Sequence, residues 1–142
     1  MRYWDASALV PLIVSESGTN LARSWLADDS AIVTWAWTRV EIASAIERRT
    51  REGALSRRDR RQVLERLDFI ANTWDEVTEI LAVRSRASLL LARHPLRAAD
   101  AGQLGAALMV NEQLEGGSLP FMCLDRRLSE AAELEGLAIA DV

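Results

Sequence analysis

At 142 residues, with 49% hydrophobic and 27% charged side chains, the chain is sized and composed for one domain with a real core, which excludes a disordered or fibrous polymer. No apolar run reaches the roughly 18 residues a membrane span requires, and no basic, apolar leader stands at Met1, so a cytoplasmic protein without a membrane segment is expected. The formal net charge is −4, yet all 17 basic residues are arginine, and the absence of lysine excludes a P-loop, a Schiff base and a lysine-dependent phospho-acceptor domain.

Arg2-Tyr3-Trp4 reads as a short strand that delivers Asp5 to the start of a helix. In open α/β sheets ligands gather at such strand ends. The apolar run from Ala8 to Val14 tolerates Pro11 and reads as a short helix ending near Ser15. Gly18 opens a second helix with Leu21, Ala22, Trp25 and Leu26 on one stripe and Asp28 and Asp29 at its end. Ala31 to Thr34 is β-prone, and Thr34 is placed to cap a long helix from about Trp35 to Arg51. Gly53 stops that helix, and Ser56 with Asp59 resembles a capping box for the next, whose buried face is Val63, Leu67, Ile70 and Trp74.

Glu76 to Ile80 fits a brief strand, followed by a helix through Val83, Ala87 and Leu90 that ends at His94-Pro95, because a proline pushes the residue before it out of the α region. The helix from about Ala98 to Gln113 is rich in small residues, so its backbone can approach a neighbour closely. Gly116-Gly117-Ser118 is a loop, Leu119 to Leu124 a strand ending at Asp125, and Arg126 to Glu135 a helix capped by Gly136. Leu137 to Ala140 closes the chain as a strand. Strands and helices alternate, which calls for a parallel sheet with right-handed crossovers and helices on both faces. Trp4, Trp25, Trp37 and Trp74 fall on apolar stripes and read as core, leaving Trp35 for base stacking. Cys123, the single cysteine, reads as a small packed hydrophobe.

Four acids sit beside or inside apolar sequence, where a charge is costly without compensation: Asp5, Glu41, Asp100 and Asp125. Helix capping accounts for Asp5, Asp100 and Asp125 taken singly as well as a site does. Glu41 lies inside its helix, where the structural alternative is a buried pair with Arg39 or Arg97. Read together, the four are a donor set for a hard divalent cation, Mg²⁺ or Mn²⁺, which would remove their mutual repulsion. Seven arginines between Arg48 and Arg61 make a local positive field despite the acidic total. They suit a solvated surface, an RNA backbone or a protein partner.

Four segments carry a family resemblance: Trp4-Asp5-Ala6-Ser7-Ala8-Leu9-Val10, Arg39-Val40-Glu41-Ile42-Ala43-Ser44-Ala45, the run His94 to Leu108 around Asp100, and Phe121-Met122-Cys123-Leu124-Asp125-Arg126-Arg127-Leu128. In this order and at this length the chain resembles the PIN-domain ribonucleases, and among them the VapC toxins of prokaryotic toxin–antitoxin pairs. Gly102-Gln103 departs from the bulkier, often histidine-containing pair common there, and Trp4 replaces an aliphatic residue.

The resemblance implies one PIN domain over residues 1–142, an α/β fold of three layers with about five mostly parallel strands and the first strand central. It also implies Asp5, Glu41, Asp100 and Asp125 as metal ligands and catalytic acids, with Ser7 as supporting hydroxyl. The expected activity is Mg²⁺-dependent endoribonuclease cleavage leaving 5′-phosphate and 3′-hydroxyl ends. Arg97, Arg126 and Arg127, neighbours of those acids, are the candidate RNA contacts, while His94 is a helix-end residue. The implied partners are an RNA substrate, a VapB-type antitoxin in a hetero-oligomer, and a second copy of the chain docked through Leu9 to Val14. The rival reading is a PIN-like RNA- or protein-binding module without catalysis.

Overall fold

The computed structural model describes residues 1–141. Its sheet has five strands in the order β3-β2-β1-β4-β5, every neighbouring pair parallel. These are β1 (Arg2–Trp4), β2 (Ile32–Trp35), β3 (Asp75–Val77), β4 (Pro120–Met122) and β5 (Ala138–Ile139). The first strand is central, as expected, with Tyr3 opposite Val33 on one side and Phe121 on the other.

Alternation along β1 decides the layers, since successive side chains leave a strand on opposite faces. Tyr3 points to one face and stacks on Phe121 with ring centroids 5.5 Å apart. There it meets α5 (Ile80–Arg93), α6 (Ala98–Glu112) and α7 (Arg126–Leu134), which contribute Val83, Leu104 and Leu128 to that core. Trp4 points the other way and meets Trp25 edge-on at 6.1 Å. Its layer holds α1 (Ala6–Ile13), α2 (Thr19–Asp28), α3 (Thr38–Arg51) and α4 (Arg57–Ala71). The result is three layers, helices on both faces of a parallel sheet.

Small residues in α6 serve the close approach their composition suggests. A Cβ placed on Gly102 would stand 2.4 Å from the Trp35 ring. One on Gly105 would stand 3.4 Å from the carbonyl of Val83 in α5.

Several boundaries differ from the pattern-based reading. The helix expected from Trp35 starts at Thr38, because Trp35 still pairs with Val77 in the sheet. Thr34 is therefore a strand residue, and its hydroxyl donates to the Trp4 carbonyl at 2.7 Å instead of capping a helix. The brief strand is Asp75–Val77, and Ile80 already begins α5. Trp37 is not core: it is 51% exposed at the turn into α3. Within the Leu9 to Val14 stretch expected at a dimer contact, Leu9, Val10 and Ile13 are buried in the chain's own core, while Leu12 and Val14 are half-buried against it. Exposed apolar side chains lie elsewhere, including Leu81 and Leu89 on α5 and Phe69 on α4. Among the described residues no helix is long and apolar enough to cross a membrane.

Candidate active site

The carboxyl edge of the sheet opens into a cleft of about 740 Å³ between the two helical layers. Asp5, Ser7, Glu41, Asp100 and Asp125 all line it, brought together from β1's end, α1, α3, α6 and the turn after β4. Arg97 lines it as well; Arg126 and Arg127 do not, and Arg126 instead reaches Glu130 one turn along α7 at 2.8 Å. Arg48 and Arg49, from the cationic run, stand on the cleft wall in their place. Their helical spacing from Glu41, seven and eight residues on, puts them on the same side of α3.

Each strand-end acid is anchored by the helix that follows it. Asp5 is the N-cap of α1 and accepts from the Ser7 N–H at 2.9 Å through Oδ2. Asp125 does the same for α7, Oδ1 accepting from the Leu128 N–H at 2.9 Å. Capping and site membership, competing readings in the sequence, are compatible because a cap uses one carboxylate oxygen. Asp100 sits in the first turn of α6 and reaches back through Oδ2 to the Arg97 N–H at 3.3 Å. Glu41 accepts from Gln103 through Oε1 at 2.8 Å. Among the described residues each acid thus has one oxygen bonded to the protein, while Asp5 Oδ1, Glu41 Oε2, Asp100 Oδ1 and Asp125 Oδ2 make no such bond.

The two turns are tied to each other by short side chains. The Ser7 hydroxyl accepts from the Leu124 N–H at 2.9 Å, and the Cys123 sulfur lies 3.5 Å from that hydroxyl. Cys123 Sγ also accepts from the Asp125 N–H at 3.3 Å and stands 3.6 Å from Asp5 Oδ2. Burial, followed by the charge of Asp5, pushes the thiol up to about 12, so it is inert as a nucleophile at neutral pH.

Proton affinities in the cleft report crowding. Burial raises the Asp5 carboxyl, with Asp100 adding to it and the Ser7 contacts opposing. Burial raises Glu41 to about 7 against the Gln103 hydrogen bond, with further pushes from Asp5 and Asp100. Burial and then the charge of Asp125 raise Asp100, opposed by Arg97. Desolvation and like charge together disfavour the ionised forms. No three His, Cys, Asp or Glu side chains among the described residues are already gathered tightly enough to hold an ion.

The expected arginine partners of Glu41 are both engaged elsewhere. Arg39 pairs with Asp68 at 2.6 Å, and Arg97 stands 3.7 Å from Asp100. The actual partner, Gln103, is fully buried. Its signal in the sequence was a lone amide within the small, apolar run Ala101 to Val110, where a polar side chain needs a partner. His94, by contrast, ends α5 as expected and contacts Glu135 at 2.6 Å, outside the cleft.

A family model described as PIN domain matches residues 2–134. The chain belongs to the PIN-domain family. Two relatives from Mycobacterium tuberculosis, Ribonuclease VapC45 of strain CDC 1551 / Oshkosh and Ribonuclease VapC49 of strain ATCC 25618 / H37Rv, are each 34% identical to this PIN protein over 144 residues, covering 97% of it and 93% of the relative. Ribonuclease VapC35 of the latter strain is also 34% identical over 144 residues, with 98% and 95% covered. The family match over residues 2–134 takes in all four acid-bearing segments, and with these relatives the resemblance to the VapC branch holds.

Proposed function

We propose that the protein is a Mg²⁺- or Mn²⁺-dependent endoribonuclease, the toxin of a VapBC-type pair, cutting RNA to 5′-phosphate and 3′-hydroxyl ends. The observation that carries this is the meeting of Asp5, Glu41, Asp100 and Asp125 in one cleft, each with an oxygen free of protein hydrogen bonds. The relatives' names, all Ribonuclease VapC, support the same substrate class.

The donor set fits a hard cation. Among the described residues every acidic group in the cleft is a carboxylate, the nearby Cys123 thiol holds its proton, and no imidazole lines the wall. Asp5, Glu41, Asp100 and Asp125 would hold the ion. When bound, such a cation lowers the pKa of water and stabilises charge developing on a phosphodiester. The chain's own contribution is position and field. The caps of α1 and α7 aim Asp5 and Asp125 into the cleft, while Ser7 fixes the turn that carries Asp125. Arg48 and Arg97, which line the wall, would meet backbone phosphates that the acids alone would repel.

The electronegative floor would equally receive a cationic side chain from a VapB-type antitoxin, which makes occlusion of the cleft the natural means of inhibition. A homodimer and a toxin–antitoxin hetero-oligomer belong to the same reading. Incubation of the purified protein with total RNA, with Mg²⁺ or with a chelator, tests the activity, and end-mapping identifies the cut. Cleavage that survives both chelation and Asp5→Asn would overturn it. Co-expression with a neighbouring antitoxin reading frame should relieve toxicity and yield a co-purifying complex.

A further inference from the structure

The amide of Gln103 is the junction of a hydrogen-bond chain whose direction can be worked out atom by atom. The Trp4 carbonyl only accepts, so the Thr34 hydroxyl spends its proton there, at 2.7 Å. Thr34 Oγ1 must therefore accept from Thr38, 2.7 Å away, which spends the Thr38 proton. Thr38 Oγ1 in turn accepts from Gln103 Nε2 at 2.9 Å. The second proton on Nε2 goes to Glu41 Oε1 at 2.8 Å. On the opposite end of the amide, the Tyr3 O–H donates to Gln103 Oε1 at 2.7 Å.

Only one amide orientation satisfies all of these partners. Turning it over would set Oε1 against both the Glu41 carboxylate and the Thr38 hydroxyl, whose proton is already spent on Thr34. Tyr3, Thr34, Thr38 and Gln103 are all fully buried, so water cannot substitute for a lost bond. The chain also spans the fold. It begins on the carbonyl immediately before Asp5 in β1, passes through β2 and α3, and ends in α6 three residues after Asp100. Glu41 belongs to one helical layer and Gln103 to the other.

We infer that Gln103 is a positioning residue for catalysis: it presents a fixed N–H to Glu41 and locks that carboxylate relative to Asp5 and Asp100. This rests on the reading of the acidic cleft as the active site and adds to it a residue that touches neither substrate nor reacting atoms. Supporting groups of this type typically matter about 10- to 100-fold to metal affinity or turnover.

The test compares wild type with Gln103→Met, which fills the same space without the amide, and with Tyr3→Phe, which removes the hydroxyl that donates to Gln103 Oε1. Mn²⁺ affinity read by electron paramagnetic resonance, and kcat and KM on a short RNA, are measured beside circular dichroism and melting curves. Gln103→Met should weaken Mn²⁺ binding and lower kcat by about tenfold or more with KM little changed. Tyr3→Phe should shift both in the same direction by less. If Gln103→Met binds Mn²⁺ and turns over like wild type, the inference is wrong. Should that variant fail to fold, Tyr3→Phe decides alone, and a wild-type kcat and Mn²⁺ affinity there overturn it. Failure of the underlying reading looks different: Asp5→Asn and Glu41→Gln would then bind Mn²⁺ and cleave as well as wild type.

Discussion

The two sides of the cleft hold their acids by different means. Asp5 and Asp125 stand at strand ends and are fixed by backbone N–H groups of the helices they cap. Glu41 projects from inside α3 and is held by one side-chain amide from the opposite layer. A cap is a local device, formed within three residues of chain and stabilising the fold while it aims the carboxylate. The Glu41 contact spans 62 residues and exists only when α3 and α6 are packed. The strand-end side of the site is therefore built with the helices, whereas the helical side is built by assembly.

The largest expected effect ignores that difference. On the proposed reading of the cleft, Asp5→Asn and Glu41→Gln should each remove RNA cleavage, measured as turnover on a defined substrate, because both acids line it. Wild-type turnover in either variant would separate the two sides functionally.

Stability should then tell them apart. The ordinary pKa of Glu41, 4.5, rises to about 7 in the fold, so the folded chain binds that proton more tightly than the unfolded one. The sign follows: stability falls as pH rises from the unfolded value through the folded one, and the penalty is complete above it. Metal-free Glu41→Gln should therefore exceed wild type by about 1–3 kcal/mol at pH 8 and by little at pH 5. Urea unfolding in chelator at the two pH values measures this, and a gain equal at both would refute the titration origin.

Ser7→Ala comes next. It strips the Leu124 N–H of its acceptor in the turn leading to Asp125, and should cost about 1–2 kcal/mol. Turnover should fall as well, since that turn carries Asp125; unchanged turnover would free the Ser7 hydroxyl from any part in the site. The smallest contrast is at Asp125 itself. Asp125→Ala loses the cap and should cost about 1 kcal/mol, whereas Asp125→Asn retains a capping oxygen and should melt close to wild type. Equal melting of the two would mean that the cap is not what holds this side.

Local pattern carried the sequence reading a long way. A strand of alternating Tyr3 and Trp4, an acid at its end, capping residues at Ser56 and Asp125, and the His94-Pro95 stop are all decided within a few residues, so helix and strand order could be read directly. Errors fell where tertiary contact overrules local pattern. Trp35 continues a strand because Val77 pairs with it, and Trp37 emerges at the surface because α3 starts one residue after it.

The sequence alone marked the candidate acids: four carboxylates beside or inside apolar runs, in a chain without lysine, are facts of composition and spacing, while the part given to Ser7 came with the resemblance to the PIN-domain family. Only the tertiary structure decided how those acids are held. Whether Glu41 meets an arginine or an amide, and whether Arg97 or Arg126 faces the cleft, depends on how helices in opposite layers cross the edge of the sheet. Those contacts join residues far apart along the chain, and their choice is settled by packing geometry and the need to satisfy every buried polar group at once.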